Sequence, residues 1–470
     1  MLIRKAKRDP NCRQNLISVR VHLIAIGGSA MHNLAIALAR KGFVVTGSDD
    51  EIFEPSKGRL ENLGLLPSEL GWFPEKIHSG LDAVIVGMHA RADNPELLKA
   101  QQAGLRIYSY PEYLFEQTRN KRRVVIGGSH GKTSITAMIL HVLAQCEVDT
   151  DYMVGAQLAG FDCMVRLTDQ ASFAVLEGDE YLSSPTDLRP KFHLYNPDIA
   201  LISGIAWDHI NVFPTFENYV DQFRIFTEKI TFGGVLIYYS GDVNVASVAE
   251  SARGDIRKVS YDVHPHQIID GKTYLMTGGG EVELQIFGRH NLQNLSGAML
   301  VCSELGISET SFYSAIQSFG GAARRLELVR KNSETAVYKD FAHSPSKLKA
   351  TTEALKEQHP DRTLVACMEL HTFSSLNEKF LDEYRGAMSS ADKAFVYFNP
   401  HTIAHKKLKP ISTEQVKQAF GDDQLEVFTS SEELTIRLLT MSWPKANLLL
   451  MTSGNFDGVD FEELAARVAP

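Results

Sequence analysis

The sequence predicts an α/β protein of three domains, each a mostly parallel sheet flanked by helices. Three observations lead there. A chain of 470 residues is longer than one hydrophobic core usually organises, so several domains are expected. With 44% hydrophobic and 22% charged residues, its composition is that of a globular enzyme rather than a disordered or fibrous chain. Short apolar runs then alternate with helix-period stretches, and this alternation restarts three times along the chain, the pattern of strand–helix–strand units.

The first twenty residues are basic but contain no apolar run, so 1–20 read as an N-terminal extension rather than a secretory signal. Residues 21–120 form the first block. "VHLIAI" is a strand, "MHNLAIALARKG" a helix with a glycine stop, and "FVVTGSDD" a second strand ending in acids; "LDAVIVGM" and "LRIYSY" continue the sheet. This is a Rossmann-like arrangement. Its first turn, Gly27, Gly28, Ser29 and Ala30, is a degenerate GxGxxG that reads as a diphosphate cradle, with Asp49 placed to receive a ribose hydroxyl. The competing reading is a sheet domain whose glycines merely permit a tight turn.

Residues 121–322 form the second block, opened by "VVIGGSHGKTSITAMIL". A phosphate loop needs inward backbone N–H groups at a helix start, a lysine for phosphate charge and a hydroxyl for Mg²⁺. Gly128, Ser129, His130, Gly131, Lys132, Thr133 and Ser134 supply them in a shortened GxxGK[ST] form, since Ile126 stands where the longer motif has its first glycine. Ile135, Met138, Ile139, Val142 and Leu143 share one face of the following helix and predict its packing side. Two further strands end in polar residues: Glu177, Asp179 and Glu180 follow "FAVLE", and Asp208 and His209 follow "IALISGIAW". Carboxyl ends of parallel strands share one edge, which makes Glu177 and His209 candidate Mg²⁺ ligands beside Thr133.

Residues 323–470 restart the alternation with "TAVYKDFAH", "TLVACMEL", "KAFVYFN" and "NLLLMTSGN", again Rossmann-like. Ser344 is placed to cap the helix "SPSKLKATTEALKEQ", and Pro345 suits its first position. A net charge of −9 argues against nucleic acid or an anionic membrane surface as partner, and no apolar run is long enough for membrane insertion. Five scattered cysteines without a CxxC pair predict free thiols and a cytoplasmic protein.

Six stretches, "GSHGKTS", "EGDEY", "WDHINVF", "FGRHNLQNLSGAM", "AARRLELV" and "DFAHSP", together resemble the Mur ligases, ATP-dependent amide-forming enzymes of peptidoglycan assembly. The resemblance covers essentially all of the chain after about residue 20 and implies ATP and Mg²⁺ as cofactors. It also implies UDP-N-acetylmuramate and a peptide or amino acid as substrates, and a monomer or weak homodimer. The first loop would then hold the UDP diphosphate and the second ATP, with the third domain closing over both. Lys132 would contact the β- and γ-phosphates, and Thr133, Glu177 and His209 would hold Mg²⁺. His290, Asn291 and Asn294 would surround adenine, Arg325 would reach the γ-phosphate, Asp340 would lie near the ribose or the active site, and His343 near the reaction centre.

Within the family, "DLRPKFHLY", "ARRLEL" and "MTSGNFDG" look most like the branch that joins UDP-N-acetylmuramate to L-Ala-γ-D-Glu-meso-diaminopimelate. The alternative is the L-alanine branch. That branch carries two arginines aimed at the amino acid's carboxylate where Thr372 and Ser375 stand here, leaving only His371 as a substrate contact. An NAD-dependent oxidoreductase using the first loop is the rival from another class, and it leaves "GSHGKTS" unexplained. Other departures are Lys339 where the family has an acid, Ser344 for a second histidine, and no lysine at the carbamylated position of sister ligases, where Gln222, Phe223 and Arg224 lie.

Overall fold

Apolar strands that alternate with helices must bury both faces of their sheet, which is why the strands here read as near-continuous Val/Ile/Leu runs. The computed structural model describes residues 18–158, 160–209, 211–322 and 326–470, and within them the chain is three-domain α/β. Two compact units are formed, one from residues up to 117 with returns at 165–169 and 182–188, the other from 118–164, 170–181 and 189–470.

The first unit carries strands β1 (Arg20–Ile24), β2 (Val44–Ser48), β3 (Ala83–Val86) and β4 (Ile107–Ser109), with helix α1 (Ser29–Arg40) leaving the end of β1. All pair in parallel in the order β2-β1-β3-β4. The apolar run of β1 is fully enclosed, with Val21, Leu23 and Ile24 all at 0% exposure.

The second unit contains two larger sheets. In the first, β5 (Arg122–Gly127), β6 (Thr150–Met153), β7 (Phe173–Glu177), β8 (Ile199–Ile202), β9 (Val235–Tyr239) and β10 (Arg257–Tyr261) run β10-β9-β8-β5-β7-β6, all parallel. Register fixes the chemistry's location. Gly127 pairs with Ile202 and Ile126 with Glu177, so three strand ends open onto one edge. Helix α2 (Lys132–Gln145) leaves β5 there. Its burial exceeds the single face expected: everything from Thr133 to Leu140 is buried, because α4 (Arg289–Glu304), itself lying on the sheet at β8 to β10, packs along its flank and the helix at Glu309–Ile316 also packs against it.

A three-stranded antiparallel sheet follows, β11 (His266–Ile269), β12 (Lys272–Thr277) and β13 (Gly280–Leu284). The last sheet is β14-β15-β19-β16-β17-β18, made of β14 (Glu327–Lys331), β15 (Thr335–Asp340), β16 (Thr363–Leu370), β17 (Lys393–Phe398), β18 (Glu426–Phe428) and β19 (Ala446–Met451). Only β14 runs antiparallel. Helix α5 (Pro345–Gln358) follows β15; Ser344 holds its N-cap position with Pro345 first, but the Ser344 side chain accepts no capping bond. Among the described residues Cys146, Cys163, Cys302 and Cys367 are free thiols, and no helix is long and apolar enough to cross a membrane.

Candidate nucleotide and ligation site

The loop between β5 and α2 is shaped by two glycines in backbone regions that side chains rarely adopt. Gly128 has φ +135°, and a Cβ there would sit 2.2 Å from Ser203 Oγ; Gly131 has φ +83°, and its Cβ would sit 2.4 Å from Asn294 Oδ1. The turn therefore approaches β8 and α4 more closely than any larger residue allows. Gly131 hands the chain to α2, whose first N–H groups and dipole favour an anion.

Lys132 reaches back over this turn. Its Nζ donates to Gly128 O at 2.7 Å and to Glu180 Oε2 at 2.5 Å. Glu180 is buried, with its side chain 1% exposed; Tyr219 OH donates to its Oε1 at 3.1 Å, and His209 Nε2 lies 3.8 Å from the same oxygen. Burial alone would lower the lysine's pKa, but the carboxylates of Glu180 and Asp179 outweigh it and raise it. Burial pushes the Tyr219 phenol well up, and Glu180 pushes it further, so Tyr219 remains a neutral donor.

Thr133 Oγ1 donates to Glu177 Oε1 at 2.9 Å, and Gly155 N–H holds the other oxygen at 2.9 Å. A hydroxyl and a carboxylate in contact are the hard oxygen donors that suit Mg²⁺. His209 lies beside the neighbouring carboxylate. It faces Glu180, is held at φ +55°, and donates its backbone N–H to Asp208 Oδ1 at 2.7 Å. No cluster of three or more His, Cys, Asp or Glu side chains able to hold a metal occurs among the described residues. A cation at Thr133 and Glu177 would therefore complete its shell with phosphate oxygens and water.

Around the loop is a cavity of about 290 Å³, lined by Ser129–Ser134, Glu177, His290, Asn291, Asn294 and Asp340. These come from β5–α2, β7, the start of α4 and the end of β15. The cavity also takes Tyr239, Arg289 and Lys347, which the sequence reading did not single out. Lys347 had a visible signal: it is the third residue of a helix that begins directly after "DFAH". Burial pulls the His130 imidazole down to about 4, with the Lys347 ammonium adding to the effect. Asp340 is 8% exposed and also accepts the Leu326 N–H.

A second cavity of about 470 Å³ lies on the other side of Ser129, lined by Trp207, Asp208, Phe216, Ser344, Phe380 and Glu383 among others. His343 is not in its wall. The ring Nδ1 of His343 lies 2.8 Å from Phe341 O, and its carbonyl accepts the Tyr384 hydroxyl at 2.6 Å. His371 lies beyond both cavities, past the end of β16, with Nδ1 3.5 Å from Glu369 Oε1. Thr372 Oγ1 donates to Ser375 Oγ at 2.9 Å and Ser375 Oγ donates to the Thr372 carbonyl at 3.2 Å, so both hydroxyl protons are taken within the turn. Arg325 lies outside the described residues.

In the first unit, Gly27, Gly28, Ser29 and Ala30 make the turn from β1 into α1. One oxygen of Asp49, Oδ2, accepts the Gly27 N–H at 2.7 Å and ties the end of β2 to the loop. A Cβ on Gly27 would stand 2.9 Å from that carboxylate oxygen, so the glycine is what lets Asp49 close in. Burial raises the Asp49 pKa, although the loop N–H groups oppose it.

Three family descriptions match successive parts of the chain: "Mur ligase family, catalytic domain" over residues 20–122, "Mur ligase middle domain" over 126–302 and "Mur ligase, glutamate ligase domain" over 324–454. The UDP-N-acetylmuramate–L-alanine ligase of Sulfurihydrogenibium sp. (strain YO3AOP1) is 31% identical over 389 residues, covering 80% of this chain and 82% of that protein. Among solved structures, the UDP-N-acetylmuramate-alanine ligase of Thermotoga maritima superposes with a TM-score of 0.67 at 18% identity, covering 96% of this chain and 98% of that one. A murein peptide ligase from Psychrobacter arcticus 273-4 superposes with a TM-score of 0.62 at 21% identity, over the same shares of the two chains. These two likenesses establish a shared fold.

Proposed function

Given that the chain belongs to the Mur ligase family, whose members are ATP-dependent, ADP-forming amide ligases, we propose that it joins the lactyl carboxylate of UDP-N-acetylmuramate to L-alanine. The observation that carries the phosphoryl half is the meeting of Lys132, Thr133 and Glu177 at one sheet edge beneath a glycine turn. The amine is taken from the name of the curated relative, which favours free L-alanine over the tripeptide.

Bound ATP supplies a transferable phosphoryl group, and Mg²⁺ offsets its charge. The chain does the rest. Thr133 and Glu177 would hold the cation through adjacent oxygens. Lys132 exchanges Glu180 for phosphate oxygens and so draws charge from the forming bond. The N–H groups from Gly128 to Thr133 orient the phosphates, and Lys347 of α5 adds a second ammonium from the facing domain. The carboxylate of the acceptor attacks phosphorus, ADP leaves, and the amine then displaces phosphate from the activated carbonyl. Asp208 and Glu383 in the 470 Å³ cavity are the carboxylates nearest to receive an ammonium there.

One observation favours a second reading with the tripeptide as amine. Thr372 and Ser375 are bonded to each other and present no cation for a free α-carboxylate, which in the tripeptide is already an amide. Phosphate release with product mass separates the two: Mg-ATP and UDP-N-acetylmuramate are given with either L-alanine or L-Ala-γ-D-Glu-meso-diaminopimelate. Turnover with L-alanine alone supports the first reading, and turnover with the tripeptide alone replaces it with the second. Turnover with neither refutes the acceptor assignment.

A further inference from the structure

We propose that the cleft of about 740 Å³ between β12–β13 and the start of the last sheet binds a small organic polyanion, one with two or more carboxylate or phosphate groups. None of its lining residues belongs to the nucleotide cavity. Lys272, Lys331, His359 and Arg362 stand in its wall, and Glu327 is the single carboxylate among the described lining residues. That carboxylate is engaged, 3.2 Å from Lys339 Nζ. Lys272 pairs with Glu283 at 2.8 Å on an exposed strand, whereas Lys331 has no ion pair among the described residues. Arg362 spends one N–H on Asn447 Oδ1 at 3.2 Å and another on Ser333 O at 3.4 Å, out of five.

In a chain of net charge −9, this is a local reversal of sign around a concave surface of ligand size. The neutral part of the wall is equally specific. Phe287 meets Tyr338 and His359 edge-on, at centroid distances of 6.1 and 6.4 Å, and the Tyr338 hydroxyl lies 3.5 Å from His359 Nε2. Burial first, then Arg362 and Lys331, keeps the His359 imidazole below its ordinary pKa, so both cations act on the same spot. An anion there would relieve all three. Gln358 closes the floor, donating to Gly271 O at 2.6 Å and accepting from Thr273 Oγ1 at 3.1 Å. It is the last residue of α5, which lines the nucleotide cavity from Ser346 to Glu357, so an occupant would bear on that helix at its C-terminal end.

The test uses the full chain with its phosphate loop saturated by Mg²⁺ and a non-hydrolysable ATP analogue. Calorimetric titrations with tricarballylate and with inorganic pyrophosphate probe carboxylate and phosphate chemistry separately. The expected result is saturable binding of at least one probe, weakened roughly tenfold or more in Lys331→Ala/Arg362→Ala, as the loss of charge-assisted bonds implies. Lys331→Glu, at an exposed position without an ion pair, gives the same loss with no risk to folding. The His359 ring protons, followed by NMR, titrate at higher pH once the probe is bound. Absence of saturable binding by either probe, or equal affinity in wild type and Lys331→Glu, overturns the proposal.

Discussion

Replacing Glu180 by glutamine removes the charge opposite Lys132 while keeping an oxygen for the Tyr219 hydroxyl. Deleting one partner of a buried ion pair costs about 3–5 kcal/mol, because the surviving charge is left uncompensated. Lys132 keeps the Gly128 carbonyl and a side chain 14% exposed to water, which puts the loss near the lower end, about 3 kcal/mol. In a domain of about 200 residues this lowers the melting temperature by roughly 6–12 °C. Nucleotide should return much of it, since phosphate oxygens give Lys132 a new counter-charge. The assay is thermal unfolding of both proteins with and without a saturating ATP analogue, alongside a direct measurement of nucleotide affinity. Glu180→Gln should melt well below wild type when empty, approach it when loaded, and bind the analogue more tightly, because nothing must be displaced. A melting deficit that is the same in both states would refute the idea that Glu180 and phosphate compete for Lys132.

Gly131→Ala forces a side chain into left-handed backbone at a cost of about 1–2 kcal/mol and drives its Cβ into Asn294, so nucleotide affinity by equilibrium binding should collapse while the fold survives by circular dichroism. Thr133→Val leaves Glu177 Oε1 without its donor and takes one oxygen from the cation; the Mg²⁺ concentration for half-maximal turnover should rise roughly 5–150-fold, from about 1–3 kcal/mol. His193 is buried against Phe192, with Nε2 2.7 Å from Gln222 O. Burial pulls its imidazole down to about 4 despite that bond. The unfolded chain therefore takes up a proton that the folded chain refuses. Stability is complete above pH 6.5 and falls as pH drops toward 4, by up to about 1.4 kcal/mol per pH unit. His193→Gln, which keeps the N–H donor, should make this acid limb shallower in melting curves taken from pH 7.5 to 4.5, leaving the share of the likewise depressed His130; an unchanged limb would place the acid sensitivity elsewhere.

The phosphate loop was legible in the sequence because its demands are local: two glycines, a lysine and a threonine within a few residues between a strand and a helix. Glu177 was legible because parallel strands share an edge, and its contact with Thr133 follows from register. Glu180 was visible only as one of several acids; what singles it out is Tyr219, which α3 (Phe216–Glu228) brings to it from 39 residues away. The small antiparallel sheet and the edge strand β14 escaped notice because their faces are largely exposed and polar, leaving little hydrophobic period to read. Asp49 was placed at a ribose by motif analogy, and the bond its Oδ2 takes from the Gly27 N–H is a close approach that no motif spacing reveals. His343 was expected near the reaction centre and His371 at the substrate by resemblance alone, and their rings rest on partners that no spacing reveals, the Phe341 carbonyl and the Glu369 carboxylate.

Phosphate chemistry collects at the end of the sheet built on β5, while the stretch from His371 to Ser375 follows a strand of a different sheet. Modularity is the outcome. Under the proposed function, substitutions after β16 would retune which amine is accepted without disturbing the frame that grips the nucleotide, so that lineages sharing one activation step could diverge in what they attach.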